Sequence, residues 1–234
     1  MQEHKLTEYT VRSGKLREPL TLALVADLHN GPYEDVLPTL RRVDGILILG
    51  DLVNRHRRGF ERAVAFLRDA PACAPTFYAI GNHELRFREL EAYWPHVEKS
   101  DVRVLDNAWV PFRGIVLGAL SAAVLDRADV TVVREMAEQP GFRLLMCHHP
   151  EYYAPMIKPY GIDLTVSGHA HGGQINIAGR GLYSPGQGLL PKLTAGFYED
   201  GHLLVSRGMT NSTRAPRWNN PCELVLLHLV PGEG

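Results

Sequence analysis

Five short apolar runs constrain this chain most, because each is cut off by a carboxylate, an amide or an imidazole. "LTLALVA" (20–26) is followed by Asp27, Leu28 and His29, and "GILILG" (45–50) by Asp51. "TFYAI" (76–80) leads into Gly81, Asn82, His83 and Glu84, and "FRLLM" (142–146) into Cys147, His148, His149 and Pro150. "LTVSG" (164–168) ends at His169, Ala170 and His171. Unbroken apolar runs of this length read as buried strands. Between the first three lie helical patterns. "EDVLPTLRR" (34–42) has Pro38 near its first turn, and "FERAVAFLRDA" (60–70) is closed by Pro71. A β-α-β-α-β order favours parallel strands with crossover helices. In open α/β sheets, ligands gather beyond the carboxyl ends of such strands.

The remainder is less regular. Residues 102–120 read as strands with turns at Asp106-Asn107 and Arg113-Gly114. "VTVVREMAEQ" (130–139) suits a helix capped by Asp129. The glycine- and proline-rich C-terminal part has candidate strands near 193–198, 201–206 and 223–230, with a tight Asp-Gly hairpin in "YEDGHLL". This second half leans toward antiparallel pairing. No linker, repeat or low-complexity tract interrupts the 234 residues, so residues 1–234 are expected to form a single α/β domain.

Hydrophobic residues make up 45% of the chain, enough for a substantial core. A net charge of −1 gives no case for bulk nucleic-acid binding. The apolar uncharged run Gly114 to Leu125, like every other uncharged run in the chain, is too short to span a bilayer, and the polar N-terminus is not a signal peptide. The expected location is cytoplasmic. Cys73, Cys147 and Cys222 suit that reducing compartment better than a disulfide framework. Peripheral membrane contact and oligomeric state stay open.

Taken singly, Asp27 reads as a turn residue, Asp51 as a helix cap and Asn82 as a left-handed turn. Taken together, Asp27, Asp51, Asn82 and four histidines at these strand ends are too many ligands for one ion and suit two. Mixed carboxylate and imidazole donors favour divalent transition metals, with manganese foremost and Fe, Zn, Ni or Co as alternatives. One carboxylate can bridge two cations, and such a pair can clamp the attacking and leaving oxygens of a phosphoryl transfer.

The ordered set "DLH", "GD", "GNHE", "HHP" and "GHAH" resembles the calcineurin-like metallophosphoesterase superfamily. "GHAHGGQ", "LLVSRGM" and "RWNNPCELVLLHL" look like its bacterial, YkuE-like branch. The resemblance implies a two-sheet β-sandwich with mixed sheets, flanked by helices in four layers (α/β/β/α). It implies a dinuclear hydrolase of a small phosphoester, a phosphodiesterase or phosphatase, in which a hydroxide activated between the ions attacks phosphorus. By the family pattern, Asp27, His29, Asp51 and His171 hold the first ion. Asp51, Asn82, His148 and His169 hold the second, with Asp51 bridging. His83 matches the family's proton donor beside the leaving group and, with Asn82 and Arg55, contacts the phosphate. His148 rather than His149 is matched as the ligand because the pattern is His-x-Pro. A UDP-acylglucosamine-type pyrophosphohydrolase and a non-catalytic metal-binding scaffold are the competing readings. The protein-phosphatase branch is disfavoured, since "LVNRHRRG" follows Asp51 where that branch has Asp-Arg-Gly.

Other residues have plainer expectations. His4, His96, His202 and His228 match no motif and are expected at structural or surface positions. Cys147 is expected to be a small buried residue. Arg55, Arg57 and Arg58, with Arg86 and Arg88 further on, form either a solvated run or a phosphate-attracting rim. "EYYAPMIKPYG" (151–161) is either a packing lid or a pocket wall. His169 and His171 are expected to share one face as strand-like neighbours, with Gly172 and Gly173 letting backbone pass close to the ions.

Overall fold

A computed structural model of the chain describes residues 3–122, 129–177, 180–211 and 216–232. The strands of the first half are β1 (Lys5–Ser13), β2 (Leu20–Val25), β3 (Gly45–Ile48), β4 (Thr76–Ala79), β5 (Arg103–Leu105), β6 (Ala108–Phe112) and β7 (Ile115–Leu120). There follow β8 (Phe142–Cys147), β9 (Leu164–Ser167), β10 (Asn176–Ile177), β11 (Arg180–Gly181), β12 (Tyr183–Ser184) and β13 (Gly188–Leu189). The last three are β14 (Gly196–Tyr198), β15 (Leu203–Val205) and β16 (Glu223–Pro231). The helices are α1 (Leu37–Leu40), α2 (Glu61–Asp69), α3 (Leu90–Glu98) and α4 (Thr131–Ala137). Residues 123–125 of the long uncharged run lie outside the described residues.

Two six-stranded sheets form, in the orders β1-β16-β2-β3-β4-β5 and β14-β15-β9-β8-β7-β6, and β10–β11 and β12–β13 are small hairpins. The period of two along each strand builds the layers. Leu22 and Leu24 of β2, Leu47 of β3 and Phe77 of β4 meet Leu117 of β7, Leu144 and Met146 of β8 and Val166 of β9 between the sheets. The alternate residues Ala23, Val25, Ile46, Ile48 and Tyr78 face outward and are covered by Phe66 and Leu67 of α2 and Tyr93 and Val97 of α3. On the second sheet, Val116, Leu120 and Leu145 are covered by Val132, Val133 and Met136 of α4. Both faces of every central strand are therefore buried, which is why these strands read as unbroken apolar runs. The result is the α/β/β/α sandwich expected from the resemblance.

Three features depart from the sequence pattern. β1, within the polar N-terminus, is an edge strand parallel to β16, and an edge needs few apolar residues. α3 has Pro95 inside it, and its short buried face (Tyr93, Val97) left no readable helical stripe. The lean toward antiparallel pairing in the second half holds for β16 against β2, for the two small hairpins and at the edges of the second sheet, but not at that sheet's centre. β6 and β14 pair antiparallel, while β7, β8, β9 and β15 run parallel. Of the connections that carry that parallel centre, β7 to β8 passes through α4 and β8 to β9 through helical turns between Pro150 and Tyr160. The latter bury Tyr152, Tyr153, Met156 and Ile157 in the outer core of the second sheet, so residues 151–161 are mainly a packing layer. Val130, not Asp129, takes the cap position of α4, and Asp129 stands one residue before it with its Oδ1 accepting the Thr131 N–H at 2.9 Å.

Leu47 is fully buried between the sheets, whereas Leu6 on β1 is 43% exposed. Leu47→Ala is expected to lower unfolding free energy by about 2–5 kcal/mol, and Leu6→Ala by well under 1 kcal/mol. Urea titrations of both variants check this. Equal effects would remove the inter-sheet layer as the main core.

Candidate metal centre

β2, β3 and β4 of one sheet and β8 and β9 of the other deliver their carboxyl ends to one cleft. The chain leaves these ends in left-handed turns: φ is 54° at Asp27, 48° at His29, 58° at Asp51, 64° at His169 and 47° at His171. Residues other than glycine seldom take this conformation, and it clusters at functional sites. Tertiary hydrogen bonds hold it here. Asp27, His29 and Asn30 donate their N–H groups to the carbonyls of Gly50, Asp51 and Leu52, and Thr210 Oγ1 donates to the Leu28 carbonyl at 2.9 Å. Gly50 (φ 97°) allows a close approach, because a Cβ there would lie 2.7 Å from both Gly81 Cα and His148 Nδ1.

All seven residues expected as ligands are brought together. His29 Nε2 lies 3.8 Å from Asp27 Oδ1 and from Asp51 Oδ2, and 3.3 Å from His171 Nε2. His148 Nε2 lies 3.2 Å from Asp51 Oδ2 and 3.1 Å from Asn82 Oδ1. Buried donor atoms within 4.8 Å of one another fall into four groups: Asp27, His29 and His171; His29, Asp51 and His83; Asp27, Asp51 and His148; and His148, His149 and His169. Asp51 belongs to two of them, one with His29 and His83 and one with Asp27 and His148. His149 also joins the cluster, and its ring stacks on Tyr152 at 4.7 Å.

Hydrogen bonds sort the imidazoles by role. His29 Nδ1 faces the Val53 carbonyl at 3.2 Å and His148 Nδ1 the Leu49 carbonyl at 2.7 Å. A carbonyl only accepts, so Nδ1 carries the proton and Nε2 is the metal-facing atom. His83 is the reverse: its Nδ1 accepts the Arg55 backbone N–H at 3.1 Å, leaving Nε2–H to point at Asp51 Oδ2, 3.8 Å away. His83 thus presents a donor to the cleft. Burial pushes His83 down to about 3 and His29 to about 4. It also holds His169 and His171 well below the ordinary histidine value. For His148, burial opposes charge, but Asp51 and its hydrogen bond raise the ring to about 10. The oxygens of Asp51 and Asn82 that hold a proton on His148 Nε2 are, with that nitrogen, a ready donor set for a cation. Burial, with the Asp51 charge adding to it, pushes Asp27 up to about 7, a mismatch that a cation between the carboxylates would relieve.

Several supporting residues escaped sequence reasoning. Glu84 is buried, and its Oε2 accepts the N–H groups of Asp51 and Gly81 at 2.9 Å each, which fixes the Asp51 turn. The His83 N–H donates to Asp51 Oδ1 at 2.8 Å and the His169 N–H to Asp27 Oδ2 at 3.0 Å, so each carboxylate is oriented from another strand's loop. Glu151 Oε1 accepts from His149 Nδ1 at 3.1 Å. Glu84 alone had a visible signal, an acid directly after "GNH". Arg217 packs its Nη2 3.2 Å from His171 Nδ1. A guanidinium only donates, so His171 Nδ1 is the acceptor there.

The "GHAHGGQ" turn also corrects the strand-like reading. His169 and His171 reach the same cleft through alternating left- and right-handed backbone, with Ala170 at φ −75° buried in the outer core. Gly172 and Gly173 are pressed against Asn220 and Gly181, not against the donor cluster. Cys147 is buried, and its thiol is pushed up to about 12, as an inert core residue. His4 bonds Asp35, His202 the Asp163 carbonyl and His228 Glu8, while His96 packs near Phe60. Arg55 lines the rim with Arg57, Arg58 and Arg88.

These shifts make the metal-free protein acid-labile. His29, His83, His149, His169 and His171 are all less basic folded than their ordinary value of 6.5, so the unfolded chain binds those protons first. Asp27 and Glu84 shift the other way, and His148 is protonated in both states below 6.5. Five groups against two leave stability falling as pH falls. The melting temperature of chelator-treated protein is expected to drop steadily from about pH 6.5 to about pH 4. A flat profile would contradict neutral, buried imidazoles.

Residues 20–173, which span all five motifs, match the family model described as Calcineurin-like phosphoesterase. An uncharacterized metallophosphoesterase of Helicobacter pylori (strain J99) is 27% identical over 184 residues, covering 73% of this chain and 50% of its own. This chain therefore spans about half the length of that relative. The uncharacterized metallophosphoesterase YkuE of Bacillus subtilis is 24% identical over 231 residues, covering 90% of this chain and 79% of its own. Among solved structures, the Thermus thermophilus sulfate thiohydrolase SoxB in complex with glycerol superposes with a TM-score of 0.50 at 13% identity, covering 90% of this chain and 56% of that one, a likeness of fold. The family model covers well over half of the chain and takes in every strand end that builds the cleft, so the chain belongs to the calcineurin-like phosphoesterase family.

Proposed function

We propose that the chain is a phosphoester hydrolase working with two divalent metal ions. Asp27, His29, Asp51 and His171 would hold one, and Asp51, Asn82, His148 and His169 the other. The observation that carries this reading is the position of Asp51, whose carboxylate is shared between a donor group with His29 and a donor group with Asp27 and His148. Mixed oxygen and imidazole donors support manganese first, then Fe, Zn, Ni or Co. Bound there, the ions would act as Lewis acids toward water and the phosphoryl oxygens. Because both sheets contribute donors, residues 1–234 are read as one domain. Three free cysteines support a reducing, cytoplasmic setting.

The chain's own residues supply orientation and a proton. In hydrolysis water attacks phosphorus, the ester P–O bond breaks, and the departing oxygen takes a proton. His83 Nε2–H faces that space and is its source in this reading. Burial keeps the ring neutral at rest, and the charge of a bound phosphoryl group opposes that burial and raises its basicity. Glu84 keeps the Asp51 turn rigid, and Arg55, whose backbone holds the His83 tautomer, stands where its side chain can meet the phosphate.

Asp51→Ala is expected to remove more than half of the bound manganese and nearly all hydrolysis of bis-p-nitrophenyl phosphate. Elemental analysis beside the rate assay checks both, and full occupancy at full rate would overturn the bridging role. His83→Ala is expected to keep its metal but to slow turnover by about 10²–10⁴-fold, the usual contribution of a general acid. The loss should be smallest for nitrophenol leaving groups. An equal loss across good and poor leaving groups would reduce His83 to a positioning role.

A further inference from the structure

Next to His83, and outside the donor cluster, lies a cavity of about 630 Å³ lined by Arg55, His56, Arg57, Arg58, Arg88 and Glu89. Its volume falls within the roughly 300–1,000 Å³ of small-molecule sites. Four guanidinium groups meet there against one carboxylate, in a chain whose overall net charge is −1. Elsewhere Arg62, Arg68, Arg113, Arg143 and Arg207 each reach an acidic partner. Among the described residues, none of the four cavity arginines does. Clustered like charges repel one another, so an unneutralised group of this kind in a concave surface favours an anionic occupant.

The cavity is built rather than incidental. Buried Asn54 turns the chain, its Oδ1 accepting the His56 N–H at 3.0 Å and its carbonyl the Arg57 N–H at 3.1 Å. At the far end, the Gly59 N–H donates to Glu89 Oε2 at 2.8 Å, and Phe60 packs against Phe87 and Tyr93. Arg55 Nε donates to His56 Nε2 at 3.2 Å, and the His56 ring stands edge-on to His83 at 5.4 Å. The cavity therefore begins one ring away from the residue that faces the leaving group.

We propose that this cavity binds a second anionic group, a phosphate, carried by the leaving alcohol of the substrate, so the substrates are bisphosphorylated small molecules. This rests on the hydrolase reading and on the place of His83 within it. A guanidinium recognises phosphate oxygens through paired charge-assisted hydrogen bonds, and Arg57, Arg58 and Arg88 are free to make them. A concave cluster suits a compact anion better than a nucleic-acid strand, which needs an extended basic track.

Two measurements test this. Inorganic pyrophosphate is titrated by calorimetry into chelator-treated protein, native and with Arg57→Gln, Arg58→Gln and Arg88→Gln combined. Circular dichroism checks the fold, and Arg88→Gln alone serves if the triple variant fails to fold. The native chain is expected to bind, and the triple variant to bind at least about tenfold more weakly. No native binding, unchanged binding in a folded variant, or tighter binding of a single-stranded oligonucleotide than of pyrophosphate would each overturn the proposal. With manganese restored, KM for glucose 1,6-bisphosphate is expected about tenfold below that for glucose 1-phosphate, and the difference is expected to vanish in the variant. Equal KM values in the native enzyme would overturn the leaving-group assignment. Arginine-dependent pyrophosphate binding without hydrolysis of either ester would overturn the hydrolase reading and leave the anion cavity standing.

Discussion

Two fully buried carboxylates, Asp27 and Asp51, stand within 3.8 Å of a single imidazole nitrogen, His29 Nε2. Taking such charges out of water costs several kcal/mol per ion unless partners compensate. Here the compensation comes from every direction. The amides of His169 and His83 donate to the carboxylates, and His148 packs against Asp51. These partners come from both sheets, so the two carboxylates require the sheets to converge at this edge. The sandwich is the scaffold that makes that convergence rigid.

Rigidity is visible in the backbone. Left-handed φ at Asp27, His29, Asp51, His169 and His171 is a conformation that these residues would not hold alone. It persists because the chain is over-determined around it. Glu84 ties the Asp51 turn to Gly81, Thr210 ties down the Asp27–Leu28 turn, and Asn220 Nδ2 donates to the His171 and Gln174 carbonyls. Local strain is offset by tertiary hydrogen bonds from elements distant in sequence. A site held this way changes little when a ligand arrives, which is what an arrangement of many donors around a small volume needs.

The interior and the rim solve different electrostatic problems. Buried carboxylates repel a phosphate, and cations at the centre would reverse that field. The arginine cavity lies on the His83 side and attracts anions independently of the centre. Burial governs the first, making five imidazoles less basic than usual. Exposure governs the second, where Arg57, Arg58 and Arg88 are open to solvent.

The unbroken apolar runs and the polar groups at their ends were legible directly. A strand buried on both faces must be apolar throughout, and a polar residue at its end is tolerated only at an edge or in a site. That logic located β2, β3, β4, β8 and β9 and the polar residues at their ends that meet in the cleft. The sequence was silent where function or fold depends on what the chain meets after long separation. β1 is polar because it is an edge, α3 hides behind Pro95, and the parallel centre of the second sheet follows from crossovers rather than from local pattern. His169 and His171 share a cleft through left-handed turns that no periodicity announces. Arg217, Glu151 and Asn220 are ordinary residues until the tertiary structure places them beside His171, His149 and Gly172. Local sequence determines which segments are buried and which donor types they carry. Only the folded packing decides which nitrogen of each ring faces the cleft, because the hydrogen-bond partners that choose it come from other strands.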